Sequence, residues 1–433
     1  MLHILTNHRW RADFTWLLSG NVLYSACQWG IVVVLAKLGS PQQVGEYALG
    51  MAVASPVILF ANCQLRSFLV SDVAGEYTFD EYVGFRFVTL TCSLAVIAVL
   101  AVLTQPNLRL ASVIILVGAA QALECISDTY YGFMQKREQM DRISRSLLLK
   151  GPLSLAALCV AMFIARNVLV AIGALCLGRL LVVLLWDCRL GDIRVKPIRP
   201  VWNLRGMRRL GRLVLPLGII AMLVSLAAGV PRYFVAGQLG SAELGIFSAA
   251  ASLVTAGNLV VSAYSQAMFL SAAWAYTAAE AEAFRGFISL AFAMGGALGA
   301  MAVLGTASFG QWMLVHIFRP EYGGSGRVLI VLMTAGAVSF IASGLGYIIT
   351  AARSLRPQIP VLAASVCAGA GASVLWIPRY GLTGAAAAVL CTSIVQLAGM
   401  AAIAWRVSRE LNVRRKFIPA ALAVEKVPQE AIL

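Results

Sequence analysis

Six charged residues interrupt apolar stretches that are otherwise long enough to cross a membrane. A charge at the centre of such a helix costs about 2.5 to 3.5 kcal/mol on insertion scales, so each one needs a partner or a water-filled cavity. Four are cations and two are acids, a net charge of +2 when all are ionised, which favours an anionic ligand. The six are Arg66, Lys150, Arg179, Arg232, Glu124 and Asp128.

Two of these charges belong to polar helix faces. Ser55 and Asn62 lie within an arc of about 40° of Arg66, on a helix that we expect to bend at Pro56. Another helix carries five polar groups within about 80°, namely Gln121, Glu124, Asp128, Tyr131 and Gln135. Such regular polar faces avoid lipid, so both are expected to line a cavity. Arg66 and Asp128 are predicted about one turn from the same membrane surface, where they could pair.

Each charge also has a less specific interpretation. Arg66, Lys150 and Asp128 are near enough to one membrane surface for their side chains to extend into its headgroup region. Arg232, which precedes Tyr233, can do the same at the opposite surface. Arg179 is predicted too deep for this and is expected in a cavity or a structural ion pair.

Two features of the charge pattern remain, the closeness of the two acids and the lack of charges in the later spans. Glu124 and Asp128, four residues apart, repel each other; they either carry coupling protons or neutralise arginines, and we favour the second role. Beyond Arg232 no charged residue is predicted at membrane depth, and only neutral polar groups such as Asn258 and Gln266 occur there. The charged machinery is therefore expected in the first half and the seventh span.

Composition identifies the elements that position these groups. Hydrophobic residues make up 60% of the 433-residue chain, charged residues 12%, and the mean hydropathy is +0.83, as in polytopic membrane proteins. Twelve apolar runs can cross a hydrocarbon core of about 30 Å. The predicted spans are 14–37, 46–70, 83–104, 109–133, 143–165, 168–188, 213–237, 245–272, 287–310, 328–352, 358–377 and 382–405. The first lacks a small-residue cleavage site and is interpreted as an uncleaved span.

Two segments about 200 residues apart resemble each other, which indicates an internal repeat. Leu38-Gly39-Ser40, followed by Val44-Gly45-Glu46-Tyr47, recurs one residue shorter as Leu239-Gly240-Ser241 and Leu244-Gly245-Ile246-Phe247. Arg86 is likewise matched by Arg285. We expect an all-α membrane protein with two six-helix halves, 1–205 and 206–410, around a central cavity, and a tail at 411–433.

The distribution of positive charge predicts the orientation. Of the 34 Lys and Arg residues, 25 fall in inner segments, six in outer loops and three within spans, when the N-terminus is placed in the cytoplasm. Both termini are therefore expected inside. The densest block, 189–212, is interpreted as a topology determinant on anionic lipid, with docking of an acidic partner as the alternative. Because the net charge of +15 follows this loop pattern, no nucleic-acid partner is predicted.

Motifs for catalysis and for metal binding are absent from the sequence. The nine cysteines are scattered without a CxxC pair and the three histidines lack ligand spacing, so neither disulfides, metals nor cofactors are predicted. There is no P-loop, GxSxG or HExxH, and the longest outer loop is only about Gln311 to Arg327. We therefore do not expect an enzyme.

Several motifs give the sequence a family resemblance. The repeated turn leads to Leu65-Arg66, Asp128 is followed by Tyr130-Tyr131-Gly132, and Lys150-Gly151-Pro152 opens the fifth span. Together with twelve spans in two halves, they resemble the polysaccharide-unit flippases of the multidrug, oligosaccharidyl-lipid and polysaccharide exporter superfamily. The resemblance covers nearly the whole chain through loose motifs, and it implies the fold of the multidrug and toxin extrusion (MATE) transporters.

The resemblance also implies a function. Flippases of this family move undecaprenyl-pyrophosphate-linked oligosaccharides across the bacterial cytoplasmic membrane for O-antigen, capsule or exopolysaccharide assembly. It implies a cationic cavity, for which Arg66, Lys150, Arg179 and Arg232 are the candidates, with Asn62, Gln121, Glu124, Asp128, Tyr131 and Tyr233 as polar lining. The expected partners are the lipid-linked substrate and membrane lipids, together with a polysaccharide polymerase and a chain-length regulator.

Two alternatives have different substrates or none. A small-molecule antiporter of the MATE branch shares the twelve-span plan, but transporters of organic cations favour acidic cavities, whereas this one is net positive. A non-transporting scaffold or an enzyme of polysaccharide assembly is disfavoured by the short loops and the absence of catalytic motifs.

Overall fold

The computed structural model describes residues 8–72, 75–188 and 200–417, and these residues form helices joined by short turns, with no strand among them. In chain order the helices are α1 His8–Leu38, α2 in two pieces Pro41–Asn62 and Leu65–Ser71, α3 Phe79–Thr104, α4 Leu108–Lys136, α5 Met140–Ala165, α6 Val168–Val182, α7 Leu204–Gln238, α8 Ser241–Thr277, α9 Ala281–Met313, α10 Gly326–Ala351, and α11 and α12 within Gln358–Phe417. One π-helical turn, Val183–Asp187, extends α6 and another, Leu314–Phe318, extends α9.

The number of spans agrees with the sequence prediction. Within the described residues, 11 continuous helices are long and apolar enough to cross a membrane. The last of them is interrupted at Gly381, whose φ of 56° and ψ of −133° separate α11 (358–380) from α12 (382–417). A side chain would be strained in that conformation, so glycine makes this tight turn possible. Twelve helices therefore cross the membrane, and several extend beyond the predicted limits, as α7 does by beginning at Leu204.

The structure shows a break in α2 that the sequence does not predict, beyond the bend expected at Pro56. The helix continues past Pro56 to Asn62 and is interrupted at Cys63 and Gln64, whose φ angles of 49° and 46° are left-handed. The sequence places Asn62 and Arg66 on one face of a continuous helix. That prediction is wrong, because the helix is interrupted between the two residues. The fully buried guanidinium of Arg86 donates to the carbonyl oxygens of Ala61 and Asn62, which the break leaves without helical partners.

The two halves meet at the repeated motif. A Cβ atom on Gly45 would lie 1.7 Å from the carbonyl oxygen of Ser241, and one on Gly245 would lie 1.8 Å from that of Pro41. The first turns of α2 and α8 therefore cross with their backbones in contact, which only glycine permits. The repeat predicted from the sequence thus marks where the halves touch.

This contact lies at the end of the bundle opposite the described termini. There Arg319 donates to the carbonyl oxygen of Gly39 at 3.1 Å and to that of Lys37, joining the α9–α10 connection to the α1–α2 turn. One hydrophobic core runs through both halves at this end, from Leu35 on α1 to Leu329 on α10. The halves are therefore packed together at the end away from the termini.

At the other end the start of α7 packs on the first half. The backbone N–H of Val201 donates to the carbonyl oxygen of Asp80, and the amide of Asn203 donates to Glu81 at 3.2 Å. The predicted division into 1–205, 206–410 and 411–433 stays a prediction. Much of the basic block, 189–199, and most of the tail, 418–433, lie outside the described residues.

Candidate functional site

Arg66 and Asp128 form the ion pair that the sequence predicts. The Nη1 atom of Arg66 lies 3.4 Å from Oδ1 of Asp128, and their side chains remain 28% and 27% exposed. The Nε–H of Arg66 donates to Gln135 Oε1 at 2.9 Å, and the guanidinium carbon lies 5.7 Å from the centre of the Tyr131 ring. The short second piece of α2 thus holds Arg66 against α4, with part of its guanidinium accessible.

Arg179 pairs with the other predicted acid. Its Nε atom lies 3.1 Å from Oε1 of Glu124, and its side chain is 5% exposed against 26% for the carboxylate. The guanidinium also donates to the carbonyl oxygen of Ala120 at 2.9 Å and to Gln28 Oε1 at 3.0 Å. Glu124 and Asp128 therefore face two different arginines, the arrangement expected if they neutralise those charges.

A cavity of about 120 Å³ contains this second pair. It lies among α1, α2, α4 and α6, all in the first half, whereas the sequence predicts a central cavity between the halves. Gln121, on its wall, donates to Ser55 Oγ at 3.0 Å and so joins α4 to α2. Tyr24 and Tyr47 place two further hydroxyl-bearing rings on the lining. The first half thus encloses a polar pocket of its own.

Lys150 lies in a closed cluster rather than at a cavity mouth. Its side chain and that of Asp187 are both 0% exposed, with Lys150 Nζ 3.2 Å from Asp187 Oδ2. The ammonium also donates to Tyr131 Oη at 2.8 Å, and the Tyr131 hydroxyl is 2.7 Å from Ser146 Oγ. Ser127 donates to Asp187 at 2.6 Å, so the carboxylate is well supplied with donors. The cluster joins α4, α5 and α6, and the side chains of Lys150 and Tyr131 are both buried in it.

Asn62 binds Arg86 at the break in α2. Its side-chain Oδ1 accepts from Arg86 Nη2 at 2.8 Å, and Arg86 Nε donates to Thr129 Oγ1 at the same distance. Arg86 is thus a buried cation bound by neutral oxygens, and it ties α3 to α2 and α4. This fixes the direction in which the second piece of α2 leaves, and with it the position of Arg66.

Arg232 and Tyr233 lie on α7 near the contact between halves. The Tyr233 hydroxyl donates to the carbonyl oxygen of Ala52 on α2. The Nε atom of Arg232 is buried and has no hydrogen-bond partner among the described residues, and no salt bridge to Arg232 occurs there. The structure therefore separates Arg232 from the two predicted acids, which Arg66 and Arg179 occupy.

Two further charged residues, Arg86 and Asp187, are buried beside the predicted ones. Asp187 was placed at the end of the sixth span and not counted, although α5 and α6 are consecutive and bring it to the depth of Lys150. Arg86 was noted only as a repeat match, and its burial was not expected. Adding both leaves the net charge unchanged at five cations against three acids, because one is positive and the other negative.

Similarity to known proteins decides the family. The chain matches the family described as "Polysaccharide biosynthesis protein" over residues 11–269, more than half of its length. The chain belongs to this family. The resemblance inferred from the motifs is thereby confirmed. Arg66 and Asp128 both lie within the matched residues.

Individual relatives agree with this assignment. The capsular polysaccharide biosynthesis protein CapF of Staphylococcus aureus is 25% identical over 391 residues, covering 89% of this chain and 96% of CapF. An inward-facing multidrug resistance MATE transporter of the MOP superfamily has a TM-score of 0.70 at 13% identity, covering 90% of this chain and 95% of its own. The lipid II flippase MurJ in an inward closed conformation has a TM-score of 0.65 at 9% identity, covering 92% and 90%. These structures confirm the MATE-like fold.

Proposed function

We propose that this protein is a flippase that moves undecaprenyl-pyrophosphate-linked oligosaccharide units across the bacterial cytoplasmic membrane. Family membership supports a role in polysaccharide biosynthesis. Similarity to CapF supports capsule assembly, and O-antigen or exopolysaccharide units have the same lipid-linked chemistry. The likeness in fold to MurJ, which is described as a lipid II flippase, also supports the proposal.

One observation carries the proposal, the accessible ion pair on the broken helix α2. Arg66 and Asp128 lie within candidate membrane spans, at 3.4 Å, and each keeps about a quarter of its side chain exposed. A guanidinium binds phosphate through parallel charge-assisted hydrogen bonds and can exchange one anion for another. The pyrophosphate would displace Asp128 from Arg66, and Asp128 would restore the pair when the substrate leaves.

The physical problem in flipping is solvation. A pyrophosphate and several sugars cannot cross hydrocarbon unaided, whereas the polyprenyl chain can remain in lipid. Arg66 is the receiving group in this proposal, and Arg232, whose Nε lacks a partner, is the group nearer the opposite surface. Arg179, whose charge Glu124 offsets, holds the wall of its cavity in place. Lys150 is omitted because Asp187 neutralises it in a closed cluster.

Orientation and partners belong to the same proposal. The bias of Lys and Arg toward one set of loops supports placing both termini in the cytoplasm. The packed end, with Gly45 and Gly245, then faces outward, and the substrate arrives from the end that carries the termini. A polysaccharide polymerase and a chain-length regulator would act on the exported unit. The protein needs no cofactor or catalytic group for this, because no covalent bond changes.

The function can be tested with purified protein in liposomes. A fluorescent undecaprenyl-pyrophosphate oligosaccharide is incorporated, and a membrane-impermeant quencher reports how much reaches the outer leaflet. We expect loss of protected fluorescence that depends on the protein and exceeds that of empty liposomes. Equal rates with and without the protein would contradict the proposal.

The multidrug antiporter remains the second candidate. It is supported by the structural similarity to MATE transporters. At 13% identity this similarity extends to the fold and not to the substrate. In cells lacking their own exporters, this protein should leave accumulation of cationic dyes unchanged while restoring surface polysaccharide to a flippase mutant. Reduced dye accumulation without polysaccharide would favour the antiporter.

A further inference from the structure

A second cavity lies at the end of the bundle that carries the termini, next to the Arg66 site but lined by other residues. Its volume is about 310 Å³, and it is formed by the end of α2, the turn before α3 and the end of α4. We call it the corner pocket and define it by the side chains that matter for its chemistry. These are Tyr77, Phe79, Tyr82, Phe133, Lys136 and Arg137. A pocket of this size can hold one sugar ring with its phosphate.

The aromatic walls of the corner pocket are packed against one another. The ring centres of Phe79 and Phe133 are 4.3 Å apart, and those of Tyr77 and Tyr82 are 5.9 Å apart with the rings nearly perpendicular. Such pairs are favourable and hold the rings in place. The pocket therefore has an apolar wall of fixed shape against which a sugar ring can pack.

The turn that carries Tyr77 is fixed by one carboxylate. Asp72 accepts hydrogen bonds from the backbone N–H of Glu76 at 2.9 Å, from that of Tyr77 at 3.3 Å and from the Tyr82 hydroxyl at 3.0 Å. Lys136 donates to the backbone carbonyl of Asp72. Because these donors satisfy the carboxylate, its negative charge is largely offset, and the pocket wall has a defined shape.

The Tyr77 hydroxyl has no such partner. Tyr77 is only 8% exposed, and its oxygen is buried without a hydrogen bond to any of the described residues. A buried hydroxyl without a partner is unfavourable, and native proteins rarely leave one that way. Since Tyr77 lines the pocket, a hydroxyl group of a bound molecule can supply the missing hydrogen bond.

Two cations stand beside these rings. The guanidinium of Arg137 lies 4.4 Å from the centre of the Phe133 ring, is exposed, and forms no salt bridge among the residues that the structure describes. Lys136 is also exposed, and its ammonium donates to the backbone carbonyl of Asp72. An arginine stacked on a ring keeps its edge free for a phosphate. The pocket thus combines aromatic faces, an unsatisfied hydroxyl and two positive charges.

We propose that the corner pocket binds a phosphorylated sugar, with the sugar against Phe79 and Phe133, a sugar hydroxyl on Tyr77, and the phosphate on Lys136 and Arg137. The chemistry fits two sources, a sugar pyrophosphate on a lipid and a free nucleotide sugar. Only the first depends on the proposed flippase function, in which the pocket would hold the head group before it reaches Arg66. The two sites lie on the same helices, α2 and α4, which gives a direct route between them.

Binding to the full-length protein in detergent tests this site. The probes are farnesyl-pyrophosphoryl-N-acetylglucosamine, farnesyl pyrophosphate and UDP-N-acetylglucosamine, with the dissociation constant measured by calorimetry. We expect saturable binding of the sugar-bearing farnesyl probe, weakened at least tenfold by Arg137→Ala and several-fold by Tyr77→Phe. Arg145→Ala, an exposed arginine on α5 that pairs with Asp141 at 3.7 Å, is the matched control and should bind normally.

The outcomes separate the sources and the two proposals. Tighter binding of UDP-N-acetylglucosamine than of the farnesyl probe would assign the pocket to a free nucleotide sugar. The proposal would be overturned if farnesyl pyrophosphate bound as tightly as farnesyl-pyrophosphoryl-N-acetylglucosamine. It would also be overturned if Arg137→Ala bound the sugar-bearing probe as tightly as wild type. Tyr77→Phe keeps the ring, so loss of binding with an unchanged melting temperature is not a folding defect. Weaker binding by Arg137→Ala together with normal binding by Arg145→Ala assigns the site to the corner pocket, and this result stands even if liposome flipping fails.

Discussion

The two halves of this protein share a fold and differ in their polar chemistry. In the first half, three ion pairs lie at the depth of the membrane spans, Arg66–Asp128, Lys150–Asp187 and Arg179–Glu124. From α8 to α12 the charges of the described residues lie near helix ends, and the interior polar groups are neutral. Where α2 has Arg66, the corresponding stretch of α8 reads Ser265-Gln266-Ala267-Met268.

The internal repeat provides the interface between the halves but not the ion pairs. Gly45 and Gly245 occupy equivalent places and contact each other, so the repeat builds the interface between halves. The ion pairs have no such counterparts, and this asymmetry indicates that one half carries the charged surface while the other completes the frame. Three of the following predictions probe that contrast, and one concerns the corner pocket.

The largest effect is expected at the buried pair of α5 and α6. Lys150→Met leaves Asp187 buried without its cation, which costs about 3 to 5 kcal/mol of stability. The double variant Lys150→Met/Asp187→Leu should recover most of this loss. Thr392→Val, which removes a 2.9 Å hydrogen bond in the second half, should cost only about 1 kcal/mol. The apparent melting temperature in detergent measures all three, and a Lys150→Met protein as stable as wild type would break the comparison.

A smaller effect is expected at the shared interface. Gly245→Ala places a methyl group where only 1.8 Å separates it from the Pro41 carbonyl oxygen, so the first turns of α2 and α8 must move apart. We expect a loss of about 1 to 3 kcal/mol in melting experiments and reduced export, as for overpacked contacts. Gly237→Ala, where no atom lies within 4 Å, is the control and should be neutral or stabilising. Equal behaviour of the two variants would mean that the halves do not rely on this crossing.

The smallest effect concerns the turn of the corner pocket. Burial alone raises the pKa of Asp72, but the N–H groups of Glu76 and Tyr77, the Tyr82 hydroxyl and Lys136 outweigh it and lower that pKa below the ordinary value. The stability contributed by the Asp72 carboxylate is therefore present above the unfolded pKa and is lost as pH falls through the lower folded one.

Asp72→Asn should accordingly lower stability by about 1 kcal/mol at neutral pH. The melting-temperature difference from wild type should stay constant between pH 5 and 7, because the unfolded pKa, about 4, lies below that window and the folded pKa is lower still. A difference that changes within this range would assign the effect to another group.

The sequence predicts the frame better than the site. Hydropathy alone locates twelve spans, because each must bury its backbone polar groups in a helix. The break at Cys63 and Gln64 was not predicted, since neither is glycine or proline; it depends on Arg86 reaching carbonyl oxygens from another helix. Such long-range capping leaves no local signal.

The sequence predicts an ion pair where it places both charged residues at the correct depth in the membrane. Arg66 and Asp128 were matched because both were placed one turn from the same surface, and they do pair. The sequence predicts Lys150 in a cavity because Asp187, at the end of the sixth predicted span, is not considered as its partner, whereas the π-helical turn Val183–Asp187 brings the two together. The roles of these residues in binding substrate stay predictions.

Translocation by Arg66 variants tests the central claim most directly. In the liposome assay, Arg66→Ala should slow flipping of the lipid-linked oligosaccharide about 10- to 100-fold, since a charge-assisted hydrogen bond contributes about 1.5 to 3 kcal/mol. Gln266→Ala, at the corresponding stretch of the second half, should stay within about threefold of wild type, because it removes no charge. Wild-type flipping by a correctly folded Arg66→Ala protein, or equal losses in both variants, would contradict an account in which the first half carries the charged surface.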